Sequence, residues 1–461
     1  MPAIEKLRAG YLSFVLIPFC LLYAQNIIWS RTFDSGRFDY TGQGGVDPCG
    51  NLIFVGQIQD SWLPIHADLI IIKYSPAGET LWVRTFDSGE NDELGRCAIN
   101  INGDIVIAGT CSPPAHCLLL KYDRDGNLVW CREDTIGPVS YRSYLSGVLT
   151  DESLNIYVTG TVTRAPVGED DWLVMKYDAD GNLIWRRILD SGNNMEGIDQ
   201  IIAHPDGNIV GLGTVGDWNH WIFDFFVVKF DRKGDTIWTR RLDVKNEDWG
   251  ADLTVDADGN IYFTGDAQEY LNGWIVPDSC VVGKYHPGGT LEWVQTFGVD
   301  DVTAGFGIAN SESHGILIAG SGTDTLTQIS RGLIACYKTD GTLLWHWTYR
   351  QENWNCWFTD IVIAEPGVCY VIGEVASADY DSSDFLVLKL RYPVGVAEGR
   401  PAEVPAGDIS PATMVCAGAT LRFSVAGAGC ERAGAAGLCG LSAGRREPHQ
   451  PALAACGCVF S

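Results

Sequence analysis

Short apolar runs alternate with turn punctuation along most of this chain. Around Trp238 the text reads IDQIIAHPDGNIVGLGTV, then a polar connection, then FFVVKFDRKGDTIWTRRL. VVKF and TIWTRRL carry the period-two alternation of half-buried strands. PDGN and RKGD are hairpin turns in which glycine supplies a positive φ. Helical periodicity is absent, so each such stretch predicts four antiparallel strands.

The stretch recurs. Trp29, Trp82, Trp130, Trp185, Trp238, Trp293 and Trp345 follow one another at spacings of 53, 48, 55, 53, 55 and 52 residues. A second register of seven is the glycine closing an apolar run: Gly56, Gly109, Gly160, Gly213, Gly265, Gly320 and Gly373. Six of the tryptophans have a glycine four positions earlier, in phrases such as KYDRDGNLVW. A small four-stranded sheet cannot bury both faces alone and must stack on its neighbours. The expectation is an all-β, seven-bladed β-propeller of four-stranded antiparallel blades. The segment from Trp29 to Phe33 precedes any complete copy, and the last copy stops after FLVLKLRYP without a tryptophan strand of its own. The N-terminal strand is therefore expected to complete the last blade and close the ring, hiding edge hydrogen-bonding groups.

Several copies share further residues: Asp68 with Lys73 and Tyr74, Asp171 with Lys176 and Tyr177, Asp224 with Lys229 and Phe230, Asp384 with Lys389. With the GxxxW phrases these resemble the bacterial SBBP-type β-propeller repeat, over roughly residues 29 to 391. Copies two, five and six depart from it: His116 stands at the aspartate position of copy two, and in copy six Arg331 replaces the aspartate and Cys336 the lysine. The resemblance implies a propeller in an extracellular place and implies no one reaction.

Lys6 and Arg8, an apolar run from Tyr11 to Tyr23, and Ala24 before Gln25 form the pattern of a signal peptide. The expected organisation is a leader over 1–24, the propeller over 25–391, and a linker with a tail over 392–461. The expected location is secreted or cell-surface, without a transmembrane segment. In the tail, SPATMVCAGATLRFSVAGAG resembles the opening of the immunoglobulin-like sorting modules of type IX secretion substrates. From about Cys430 strand alternation is lost, and the text reads as degraded, truncated or frameshifted.

Charge narrows the partners. A formal net charge of −26 repels a phosphate backbone, which excludes nucleic acid, and it suits the solubility of an exported monomer. The 15 cysteines form no CxxC pair, so zinc-ribbon and thioredoxin-type chemistry finds no support. Cys336 reads as a small buried strand residue. Cys111 and Cys117 bracket CSPPAHC and either close a loop disulfide or remain thiols.

No HExxH is present, and no catalytic or metal-ligating residue is assigned. DRDGN and the two DADGN segments lack the downstream glutamate of a calcium loop and read as hairpin turns; calcium in other acidic loops stays open as the one cofactor. The glycine-to-tryptophan spacing of four does not fit a sialidase Asp-box. YDADGNLIW is similar to quinoprotein dehydrogenase blades, but those enzymes typically have eight blades, and no adjacent cysteine pair occurs here.

The connections from second to third strand are long and differ among copies: QIQDSWLPIHAD, TVGDWNHWIFD, DAQEYLNGWIVPDS and EVASADYDSSD. Variable loops on a rigid scaffold are the usual seat of recognition. They carry Trp62, Trp218, His220, Trp221, Tyr270, Trp274 and Tyr380, aromatic plates beside carboxylates that suit a carbohydrate or protein ligand. The sequence thus points to a non-catalytic binding module. The alternatives are an envelope spacer and a propeller enzyme, quinoprotein-like or glycan-active, assembling carboxylates from separate blades.

Overall fold

The structure is a computed structural model. It describes residues 26–60, 66–113, 115–134, 136, 142–164, 169–190, 192, 195–217, 220–271, 274–312, 314–351, 354–377, 382–393 and 413–416. The expected leader and most of the expected tail lie outside these residues.

The described residues form 29 β-strands and no helix. The first, β1 (Asn26–Phe33), is followed by β2–β5 (Phe38–Val46, Leu52–Gln59, Ala67–Tyr74, Thr80–Phe86) and β6–β9 (Asn91–Ile99, Ile105–Ser112, His116–Tyr122, Leu128–Asp134). Next come β10–β13 (Arg142–Thr150, Ile156–Arg164, Glu169–Tyr177, Leu183–Leu189) and β14–β17 (Met195–Ala203, Ile209–Asp217, Ile222–Phe230, Thr236–Leu242). The remainder are β18–β21 (Glu247–Val255, Ile261–Leu271, Trp274–Tyr285, Leu291–Phe297), β22–β25 (Val302–Ser311, Gly315–Asp324, Ile329–Tyr337, Leu343–Tyr349), β26–β28 (Trp354–Glu365, Val368–Ser377, Ser383–Arg391) and β29 (Thr413–Cys416). No helix of the described residues is long and apolar enough to cross a membrane.

The all-β, propeller-like architecture agrees with the sequence pattern, but the expected closure is corrected. Hydrogen bonding groups the strands into six sheets, in open strand orders. A one-residue parallel bridge between Phe223 and Glu247 joins β14–β17 to β18–β21 as one eight-stranded sheet, and β29 adds a fifth strand beside β25. β1 pairs antiparallel with β28 from Asn26–Arg391 to Phe33–Phe385, so it is the outer strand of an open sheet ordered β1-β28-β27-β26. Ladder bonds run within a sheet, and successive units meet through side chains on their faces. An added outer strand therefore completes one sheet and leaves that sheet open.

Seven apolar cores lie between successive units. In one, Ile53, Val55, Leu69 and Ile71 meet Ile105, Ile107, Leu118 and Leu120; in another, Tyr370, Ile372, Phe385 and Val387 meet Leu52, Phe54, Ile70 and Ile72. Each central strand is apolar on both faces because both are covered.

The two sequence registers are one contact. Each turn glycine of the GxxxW phrase lies against the tryptophan of the preceding unit: Gly78 on Trp29, Gly126 on Trp82, Gly181 on Trp130, Gly234 on Trp185, Gly289 on Trp238 and Gly341 on Trp293. Two residues after five of these tryptophans an arginine guanidinium lies over the ring, 5.2–5.5 Å from its centroid, at Arg31, Arg84, Arg132, Arg187 and Arg240. Arg31 and Arg84 also donate to the carbonyls of Gly78 and Gly126 at 2.7 Å. Trp345 has no such glycine, because β28 and β1 are not joined by a hairpin; it is buried and paired with Cys416 of β29.

Candidate functional site

Every first strand of a unit carries a register shift at the same place: Thr41/Gly44, Leu94/Cys97, Leu145/Gly147, Ile198/Gln200, Gly250/Asp252, Gly305/Gly307 and Phe358/Asp360. A bulge inserts an unpaired residue and re-aims its side chain. These first strands touch one another in succession, β2 with β6, β6 with β10 and on to β22 with β26 and β26 with β2. The bulges therefore meet at the middle of the fold.

Arg96 reaches across that middle. Its Nη2 donates to the carbonyl of Ala251, from β6 to β18. Its charge acts on Asp199, the unpaired residue of one bulge, and on Asp252 and Asp360, which resume pairing just after the bulges of two other units. Asp252 accepts the backbone N–H groups of Ile308 and Leu253 at 2.9 Å and the side-chain amide of Gln200 at 3.0 Å. Asp360 accepts N–H groups from Gly44 at 2.9 Å and Ile361 at 2.7 Å. Both tie neighbouring units together by meeting donors that the bulges leave without ladder partners. Asp199 and Arg96 are half-buried and remain the accessible members.

Burial pushes the Asp199 carboxyl up to about 6, with Arg96 opposing. Burial, reinforced by the neighbouring Asp252 charge, pushes Asp360 up to about 7, and burial raises Asp252 as well. Three carboxyls around one guanidinium resist ionising together. The arrangement can hold a cationic or hydroxyl-bearing group, or exchange a proton near neutral pH.

A second set of carboxylates lies where one unit's third and fourth strands meet the next unit's first strand. Three such groups bring ligand atoms within 4.8 Å of one another: His66, Asp68 and Asp87; Asp34, Asp39 and Asp384; Asp224, Asp243 and Asp248. Ser35 donates to Asp39 through its N–H, and burial pushes that carboxyl up to about 6. Burial pushes Asp248 up to about 7 although Val244 and Lys245 donate to it. The Asp68 and Lys73 of one repeat do not pair with each other: Asp68 meets Arg37, and Lys73 meets Asp47 at 2.9 Å. Opposite parity along β4 sends the two side chains to different faces.

Of the residues expected to bind, Trp62, Trp218 and Tyr380 lie outside the described residues. His220 is exposed and its Nδ1 lies 2.5 Å from Asp217 Oδ2. Trp221 is 60% exposed, at φ 52°, with its ring edge-on to Phe223 at 6.4 Å. Tyr270 and Trp274 are in strands, not in a loop: β19 and β20 continue pairing through Tyr270–Ile275 and Leu271–Trp274. The structure thus brings His220 and Trp221 together and places the other described pair on a separate hairpin.

Cys111 and Cys117 are both free and buried. Cys111 packs in the core toward β3 and β4, and Cys117 in the core toward β11 and β12, so they occupy opposite faces of one sheet and form no disulfide. The DxDGN aspartates cap their own turns. Asp123 Oδ1 accepts the N–H of Asp125 at 2.9 Å and of Asn127 at 2.8 Å, and Asp178 repeats the pattern.

The axial residues were missed in the sequence, although a signal exists. Thirteen positions before each register glycine stand Gln43, Arg96, Gly147, Gln200, Asp252, Gly307 and Asp360. Polar residues recurring inside an otherwise apolar first strand mark a place where polarity is needed.

No family model matches the chain. A curated relative, the regulatory protein FlaEY of Caulobacter vibrioides, is 29% identical over 196 residues, which is 38% of this chain and 20% of that protein. The chain thus spans about a fifth of that relative's length. Among solved structures, a protein of unknown function from Dyadobacter fermentans has a TM-score of 0.44 at 9% identity, covering 80% of this chain and 99% of that one. The β-propeller domain of the Trilobed protease from Pyrococcus furiosus has a TM-score of 0.44 at 10% identity, covering 78% and 96%. The polysaccharide lyase Uly1 has 0.46 at 12%, covering 78% and 91%.

Proposed function

We propose that this chain is an exported recognition module of the SBBP-type repeat class, with its ligand centre at the axis of the fold. The observation that carries the reading is the convergence of Arg96, Asp199, Asp252 and Asp360 from four units. Asp252 and Asp360 hold the units in place, and Asp199 with Arg96 offers an acceptor and a donor to a bound group. The ligand class is a carbohydrate, or a protein segment presenting hydroxyl or ammonium groups. The leader-like N-terminus and the sorting-module likeness of the tail support an extracellular place. A glycan and peptide array of the chain against Asp199→Asn and Arg96→Gln tests this. Hits lost in both folded variants support the axial site; hits retained in both overturn it.

A glycan-active enzyme is the second reading, favoured by carboxyls at about 6 for Asp199 and about 7 for Asp360. Such groups can both give and take a proton at neutral pH. Array-positive glycans incubated with the chain separate the readings. Cleaved products that vanish in Asp199→Asn support an enzyme, and unchanged glycans leave a binding module.

A further inference from the structure

The carboxylates of Asp224, Asp243 and Asp248 come from three separate elements: early in β16, just after β17, and the second residue of β18. One oxygen from each lies within 4.8 Å of the others, a spacing that oxygen ligands around one hard cation adopt. Asp224 is 1% exposed and Asp248 fully buried, whereas Asp243 is open to solvent.

The independent sign is at Asp224. Its Oδ2 meets Arg241 Nε, but its Oδ1 is buried and accepts no hydrogen bond. A carboxylate oxygen out of water with no donor is costly, and native structures rarely tolerate one without a bound ion or water. Arg241, about half exposed, meets Asp224, and Lys245, whose ammonium also donates to Ser279 Oγ at 3.1 Å, acts on Asp248; no cation is placed against the third carboxylate, Asp243, by these contacts.

We propose that Asp224, Asp243 and Asp248 bind a divalent cation of calcium type, coordinated by oxygen alone. The exposed Asp243 gives the ion an entry from solvent. A bound ion ties β16 to β18 beyond the Phe223–Glu247 bridge, and it fixes the connection that carries His220 and Trp221, which runs directly into β16. The site stands apart from the axial group, so it can fail or succeed independently of the reading above.

The test is calorimetric titration of chelator-stripped full chain with calcium chloride up to roughly millimolar concentration, the range of extracellular calcium sites, alongside Asp243→Asn and Asp224→Asn. The expected result is uptake of calcium by the parent, with one equivalent lost in each variant. Because Asp243 is exposed, its amide variant keeps the fold and decides the matter if Asp224→Asn does not fold. No uptake by the parent, or the same number of equivalents in Asp243→Asn as in the parent, overturns the site.

Discussion

At the scale of single residues, the chain is held together by a contact written into its repeat. The turn glycine of the GxxxW phrase has two duties. Gly126 sits at φ 80°, which side chains disfavour, and a Cβ there would stand 3.1 Å from the Trp82 ring. Gly36 has φ 79° with nothing within 4 Å. Comparing the two separates backbone strain from ring contact. Gly36→Ala is expected to cost about 1 kcal/mol, and Gly126→Ala about 2–3 kcal/mol, because the ring must also move. Urea denaturation of both variants reads the difference. Equal losses would mean that the tryptophan accommodates the methyl freely and that the glycine register serves the turn alone.

At the scale of elements, β1 is separated from its sheet partners by most of the chain, yet it pairs with β28 over seven positions. Trp29 and Phe33 pack on the core that contains Tyr74, Tyr370 and Phe385. Removing residues 26–33 leaves the β28 edge open from Phe385 to Arg391 and takes two aromatics from that core. The expected loss is at least about 3 kcal/mol, the scale of one buried aromatic, together with association through the bare edge. Thermal denaturation and light scattering of the truncated chain check this; melting and monodispersity unchanged from the parent would deny β1 a structural part. This pairing was legible because the last copy visibly lacked its tryptophan strand. What was not legible is how the sheets are bounded, since a single bridge at Phe223–Glu247 and a strand at Thr413–Cys416 leave no periodic trace. The axial group was obscured for a related reason: each unit contributes one residue at or just after its bulge, and Arg96 reads as an ordinary surface charge until four units are brought together. The Tyr270 and Trp274 hairpin looks like a loop in the sequence because polar residues interrupt the apolar run, while the backbone keeps pairing.

At the scale of the whole molecule, buried acids set the response to pH. Burial pushes Asp199 up to about 6, and Asp360 and Glu374 up to about 7. In the unfolded chain such groups ionise near pH 4. Between about pH 4 and 7 the folded state therefore holds more protons than the unfolded state, and stability must fall as pH rises through this window. Their contribution is full below the unfolded value and is lost as pH passes the folded one. Asp47, held low by hydrogen bonds from Asn51 and Lys73, and the turn aspartates Asp123 and Asp178, held low by their asparagine partners, act in the opposite sense. Their contribution is present above about pH 4 and disappears in stronger acid. The net charge of −26 adds repulsion that grows with pH. The two groups together place the stability maximum on the acidic side of neutrality, near pH 5. Melting temperatures from pH 3 to 9 are expected to rise, peak there and decline toward pH 8, and Asp360→Asn should flatten the decline by removing one of the titrating acids. A profile that climbs steadily to pH 8 would mean that these carboxyls are ionised without penalty in the folded chain, and the axial cluster would then be a solvated surface, not an enclosed site.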